Sequence, residues 1–199
     1  MLNLHLLAPE FVLAALGLGL MLADLFIPSR HGKFLYHLGC VAAAAALFMV
    51  SRSLLGPAGQ GMGTLWAVDP MSQFFKTAVL LCVILCLMMS LEYKQLPQSG
   101  AGTFTSLIVF SAAGMMLLVS ATALLLIFVA LELVSISSFI LAGFERRNRK
   151  SNEGALKYFL FGAFSSALMV YGISLYYGAT GTTRLVEFTQ SGAHSISLW

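Results

Sequence analysis

Phe128-Val-Ala-Leu-Glu132-Leu-Val-Ser-Ile-Ser-Ser138 lies inside a run from Ala121 to Phe144 that is otherwise almost wholly apolar. A run of that length crosses a hydrocarbon core of about 30 Å. Its one carboxylate, Glu132, stands near the middle. Insertion scales put an acid at that depth at roughly 2.5–3.5 kcal/mol. A side chain kept at that cost has a polar partner or carries a proton, and it marks a transport pathway by default.

The rest of the chain supports a membrane reading. Of its 199 residues, 59% are hydrophobic and only 10% charged, whereas about a quarter of a soluble domain is charged. Mean hydropathy is +0.89. The apolar residues come in long blocks rather than in the strict alternation of a membrane β-barrel. Backbone polar groups in lipid must then be satisfied inside helices. The expected fold is all-α, a polytopic transmembrane bundle of six helices at about 9–27, 34–54, 71–91, 103–119, 121–144 and 153–177, one transmembrane domain with a polar tail at 178–199.

Local signals place the helix ends. Pro9 suits a first helical position, Glu10 complements the dipole of that turn, and Pro28 closes the helix. The amino end has no basic stretch before its apolar span, so helix 1 reads as retained rather than cleaved. Leu65 to Val68 suits a short interfacial strand, with Trp66 at the depth aromatic residues favour. Helices 4 and 5 follow so closely that the turn at Ser120 to Thr122 must be tight and uncharged.

The charge balance of +3 follows the loops. Arg30, Lys33, Lys94, Arg146, Arg147, Arg149 and Lys150 fall on one side, Arg52 and Arg184 on the other. No basic face for nucleic acid results. The positive-inside rule puts the amino terminus outside and the basic loops in the cytoplasm. The cysteines Cys40, Cys82 and Cys86 read as small apolar residues. Cys82 and Cys86 share a helix, but no His or acid stands near enough to complete a metal site.

Glu132 leads the candidate residues. Ser135 and Ser138 follow at intervals of three and share a loose polar stripe with it. One reading is a proton-relay carboxylate; the other is a structural tie hydrogen-bonded to a neighbouring helix. Lys157 comes second, in Glu153-Gly-Ala-Leu-Lys157-Tyr158. It pairs locally with Glu153 in the favoured i,i+4 orientation, snorkels to the interface, or acts as a buried base that trades a proton or shifts Glu132. At ~1.5 Å per helical residue, Glu132 and Lys157 lie at different depths, so water or another residue would have to join them. Asp24 and Lys76 read as interfacial anchors near helix ends, and His37 as an interface histidine. Gly162, Ala163, Ser165, Ser166 and Ala167 leave helix 6 small on one flank, which allows close packing.

Several stretches together carry a family likeness: Leu-Ala-Pro-Glu10, Val-Asp-Pro70, Leu-Glu132-Leu-Val-Ser, Glu153-Gly-Ala-Leu-Lys157-Tyr-Phe-Leu-Phe-Gly-Ala-Phe-Ser-Ser-Ala, then Tyr-Gly and Thr-Gly. In this order the chain resembles the subunit N family of the proton-pumping NADH:quinone oxidoreductases, respiratory complex I. Related Na⁺/H⁺ antiporter-like subunits share the helix 5 glutamate. The resemblance implies a proton-translocating subunit of the bacterial inner membrane, with other membrane subunits and the lipid bilayer as partners. It implies no cofactor in this chain: NADH, flavin, iron–sulfur clusters and quinone belong to other subunits. Carried over by motif, Glu132 and Lys157 become the proton-relay residues.

Family members carry more than twice as many helices, in inverted repeats. The likeness therefore implies an amino-terminal part, without the broken seventh helix whose lysine partners the helix 5 glutamate. A structural membrane scaffold and a part of a secondary cation/proton antiporter are the competing readings.

Overall fold

The computed structural model describes residues 8–26, 32–54, 59–61, 65–92 and 100–185. Arg30, Lys94, His5, His31 and His194 lie outside the described residues, as does most of the expected polar tail. The elements are α1 (Ala8–Phe26), α2 (Gly32–Leu54), β1 (Gly59–Gly61), β2 (Trp66–Val68), α3 (Pro70–Glu92), α4 (Ala101–Ser120), α5 (Leu124–Ala142) and α6 (Arg149–Thr180). All six described helices are long and apolar enough to cross a membrane. The chain is thus a multi-pass membrane protein. Its helices alternate in direction, with Lys33 and Arg146 to Lys150 at one end of the bundle, here the basic end. The short antiparallel pair β1–β2 lies at the other, here the Trp66 end.

Helix α4 is the hub and packs against α1, α2, α3 and α5, while α6 packs on α5. The main core joins Leu13 and Leu20 of α1, Leu35, Ala46 and Val50 of α2, Leu80 of α3, and Val109, Ala113 and Met116 of α4. In lipid, burying such residues yields little hydrophobic gain, because the surroundings are equally apolar. Close van der Waals fit must do more, and the glycines show where. A Cβ on Gly114 would stand 2.8 Å from Val134 Cγ2 and 3.1 Å from the Ala130 carbonyl oxygen, so α4 and α5 meet backbone to backbone. The ring of Phe139 fills the place a side chain at Gly162 would take, and it also stands edge-on to Tyr158 and Phe159. Those contacts set the α5–α6 register.

Helix ends depart from sequence expectation where tertiary partners intervene. Helix α5 begins at Leu124 rather than at Ala121, because Ala121 to Ala123 is extended. Ala121 bridges Trp66 and Ala123 bridges Arg184, the Thr122 N–H donates to the Leu65 carbonyl, and the Leu185 N–H donates to the Thr122 carbonyl. A three-residue stretch between two helices is thereby held by segments from both sides. Helix α4 begins at Ala101, two residues early, after Gly100 at φ 90°, a left-handed value glycine adopts freely. Helix α6 begins at Arg149, where the Asn148 side chain accepts from the Lys150 N–H, and ends at Gly181 with φ 69°.

The start of α3 is capped from its own sequence. Asp69 Oδ1 accepts from the Ser72 N–H at 2.7 Å, and Ser72 Oγ accepts from the Asp69 N–H at 2.9 Å. This is a reciprocal capping box, with Pro70 in the first helical position. The hydrogen bonds from the Ser72 N–H and hydroxyl hold the exposed Asp69 carboxyl below its ordinary range, and the Lys76 charge adds to this.

Candidate functional site

Glu132 sits near the middle of α5, eight residues from its first residue and ten from its last. It is half-buried and turned toward α6. Its Oε1 accepts a hydrogen bond from the hydroxyl of Ser166, near the middle of α6. The register that sets Phe139 on Gly162 brings these two side chains to the same depth. A carboxylate with a hydroxyl donor, at mid-depth between two helices, can hold or release a proton according to its neighbours. Charge-assisted hydrogen bonds of this kind are about twice as strong as neutral ones.

The serine stripe on α5 is arranged differently from the sequence expectation. Ser138 Oγ donates to the Val134 carbonyl of its own helix at 2.8 Å, as Ser137 does to Leu133. These hydroxyls are turned back onto the backbone. The polar group that meets Glu132 comes from α6. Ser166 was visible in the sequence only as one of several small residues. What singles it out is the antiparallel register, which no local pattern encodes.

Lys157 is not brought to Glu132. Its Nζ donates to Glu153 Oε1 at 2.5 Å, and the two side chains are 66% and 64% exposed. Lys157 precedes Ser166 by nine residues, ~13 Å of helix, toward the basic end. Two further expectations are corrected. Lys76 is not an interfacial anchor: it is fully buried, 0% exposed, and lies 2.6 Å from Glu10 Oε1 of α1, itself 3% exposed. Sequence distance hid this, since residues in parallel helices α1 and α3 must first be packed together.

Asp24 is not a free anchor either. It stands in the last turn of α1, where its own helix dipole disfavours an acid. It faces the amino end of α4. The Gly102 N–H donates to Oδ1 at 3.0 Å, and Thr103 donates to Oδ2 through its N–H at 3.0 Å and its hydroxyl at 2.7 Å. The carboxylate thus caps a neighbouring helix, satisfying amides that the helix itself leaves open. Gly102 allows the approach, since a Cβ there would stand 2.6 Å from Asp24 Cβ. Among the described residues no group of three or more His, Cys, Asp or Glu is placed to hold a metal ion.

Comparison with known proteins adds a family. Residues 121–198 match the NADH:quinone oxidoreductase/Mrp antiporter transmembrane family. The chain is 38% identical over 197 residues to NADH-quinone oxidoreductase subunit N of Trichlorobacter lovleyi, covering 97% of this chain and 40% of that protein. It is 37% identical over 192 residues to F(420)H(2) dehydrogenase subunit N of Methanosarcina mazei, covering 93% of this chain and 39% of that protein. The chain therefore spans about 40% of the length of these curated relatives. In three dimensions it matches a chain of respiratory complex I from Thermus thermophilus with a TM-score of 0.73 at 33% identity, over 89% of this chain and 38% of that one. With α5, α6, Glu132 and Lys157 inside the matched segment, the chain carries a stretch of the NADH:quinone oxidoreductase/Mrp antiporter transmembrane family and is similar to subunit N along nearly its whole length.

Proposed function

We propose that this chain is part of a proton-translocating membrane subunit of an NADH:quinone oxidoreductase, and that Glu132 carries the translocated proton. The observation that bears most weight is the Glu132–Ser166 contact: an acid held at mid-depth between two helices by one neutral hydroxyl. A structural tie would be served by a hydroxyl or amide at lower cost. A neutral donor stabilises the anion without fixing its charge, so a cation that approaches or retreats sets the protonation state. Opposite unit charges 4 Å apart attract by ~4 kcal/mol at an effective dielectric of 20, about three pKa units. Lys157 is the candidate cation within this chain. On this reading it leaves Glu153 and shifts the potential at Glu132 through water, since the two do not touch.

Electron transfer and its cofactors belong to other subunits of the complex. Relatives named for NADH and for F(420)H(2) share this membrane part, which fits a chain that does not itself meet the electron donor. The partners are other membrane subunits and the lipid bilayer. The location is the bacterial inner membrane, with the amino terminus outside. That orientation is supported by Lys33, Arg146, Arg147, Arg149 and Lys150 at one end of the bundle and the positive-inside rule.

The test is Glu132→Gln in the complete subunit within its assembled complex, read as protons pumped per electron pair in sealed vesicles. The substitution keeps shape and removes titration. Loss of pumping with assembly intact is expected. Normal pumping would remove the relay role and leave a structural tie.

A further inference from the structure

A second ionisable site lies at the Trp66 end of the bundle, away from Glu132. Glu10 enters from α1 and Lys76 from α3, 3% and 0% exposed, with Nζ and Oε1 2.6 Å apart. The contact does not use up the hydrogen-bonding capacity of either group. Both Glu10 oxygens and Lys76 Nζ lack a hydrogen bond of good geometry among the described residues. Three other buried polar atoms at this end share that condition: Gln73 Oε1, Ser120 Oγ and Trp66 Nε1, on residues 2–3% exposed.

The packing gathers these groups. Gln73 is one turn before Lys76 on the same side of α3. The α1–α4 register, fixed by Gly17 on Phe110 and Asp24 on Gly102 and Thr103, carries Glu10 to the level of Leu117, one turn short of Ser120. The bridge from Trp66 to Ala121 sets the Trp66 backbone against the residue that follows Ser120, and Leu117, one turn before Ser120, packs against the cluster of Trp66 and Val68. Buried polar groups without partners are rare in folded proteins, and a buried site lined by several is suited to ordered water. Burying two opposite charges is a weak source of stability, because desolvation offsets their attraction. A bundle needing only a tie here would be served by apolar residues.

We propose that the Glu10–Lys76 pair is a second proton-handling site of the subunit, wetted by water that Gln73, Ser120 and Trp66 hold. The proton moves from Lys76 Nζ to the Glu10 carboxylate, leaving a neutral amine and a neutral acid, and returns when the site is recharged through its water. The charged groups that bear on it are few. Asp69, exposed at the start of α3, acts electrostatically on Lys76. Arg52 of α2 is exposed at the same end and lies over the Phe48 ring. Helix α4 carries no charged residue. Asp24 is at the far end of α1. The pair is therefore governed mainly by its own two members.

This inference rests on the proton-translocating reading above. The experiment uses Glu10→Gln combined with Lys76→Met in the complete subunit within its assembled complex. Protons pumped per electron pair and the pH dependence of pumping are measured in sealed vesicles. Assembly and electron transfer should persist, while the proton ratio falls several-fold and its pH profile changes. Full pumping with an unchanged profile overturns the proposal and leaves a structural ion pair. If the double variant does not assemble, Glu10→Asp is read instead, which keeps the acid and shortens its reach. A shifted pH profile is then expected, and an unchanged one overturns the proposal. Glu132→Gln, run alongside, separates the two ideas. If it abolishes pumping while the Glu10 variants pump normally, this inference alone fails. If it too pumps normally, the underlying reading fails.

Discussion

Helices α1 to α4 and the α5–α6 hairpin treat their polar side chains in opposite ways. In the first region helix packing closes over them: Glu10 meets Lys76 out of solvent reach, and Asp24 meets the open amides of α4. In the second region very little is enclosed. Only Ala130 and Ser137 of α5 are buried, and no residue of α6 is. There Glu132 has a neutral hydroxyl, and Lys157 has an exposed partner on its own helix. A charge that is fully enclosed with its counter-charge has its state set by that partner. A half-buried acid with a neutral donor is open to influence from whatever approaches α5 and α6. The same residue type thus has two physical roles in one bundle, decided by enclosure.

That contrast can be broken at its most enclosed point first. Lys76→Met should destabilise the assembled subunit by about 3–5 kcal/mol, because it leaves the Glu10 charge buried without a partner. Thermal denaturation of the purified complex reads this, and adding Glu10→Gln should restore most of the loss. A single variant as stable as the parent would mean that the pair is not enclosed as described.

The next effect is smaller. Asp24→Ala removes a cap supplied from another helix and should cost about 0.5–2 kcal/mol, the range for capping residues. Hydrogen exchange at Gly102 and Thr103 should rise with it. Unchanged protection there would show that α4 does not depend on α1 for its start.

Lys157→Met should change stability by no more than ~1 kcal/mol, since an exposed i,i+4 pair contributes little. A pumping defect in this variant without loss of assembly would therefore report function rather than folding. A large stability loss would contradict the exposed setting.

The smallest effect concerns Asp69. Its carboxyl is held below the ordinary range by Ser72. A group depressed in the folded state stabilises fully above its unfolded value, about 3.9, and the contribution is lost as pH falls through the folded value. Unfolding of the parent and of Asp69→Asn, compared across that acid range, should show the parent's advantage shrinking as pH drops. A constant difference would remove the ionised cap.

Much of the helical architecture was legible because lipid imposes a simple rule: long apolar runs must be helices. The reading of Glu132 as the unusual residue followed from the same rule, since one carboxylate in an apolar span is conspicuous without any structure. The placement of Ala121 to Ala123 was less legible. The turn was expected to be tight, but its extended form depends on Leu65, Thr183 and Leu185, which are distant or follow a whole helix later. In the sequence Asp24 and Lys76 look like anchors because each lies near a helix end, where an anchor is the ordinary explanation.

Sequence alone determined the class of the molecule, the helical runs and the family likeness carried by the helix 5 and helix 6 motifs. These follow from composition and from order along the chain. Only the tertiary structure decided who meets whom: Ser166 with Glu132, Lys76 with Glu10, Asp24 with the start of α4. Each contact depends on the relative register of two helices. Register is fixed by the close fit of side chains such as Phe139 on Gly162 and Val134 on Gly114, and a linear pattern carries no record of that fit until the helices are packed.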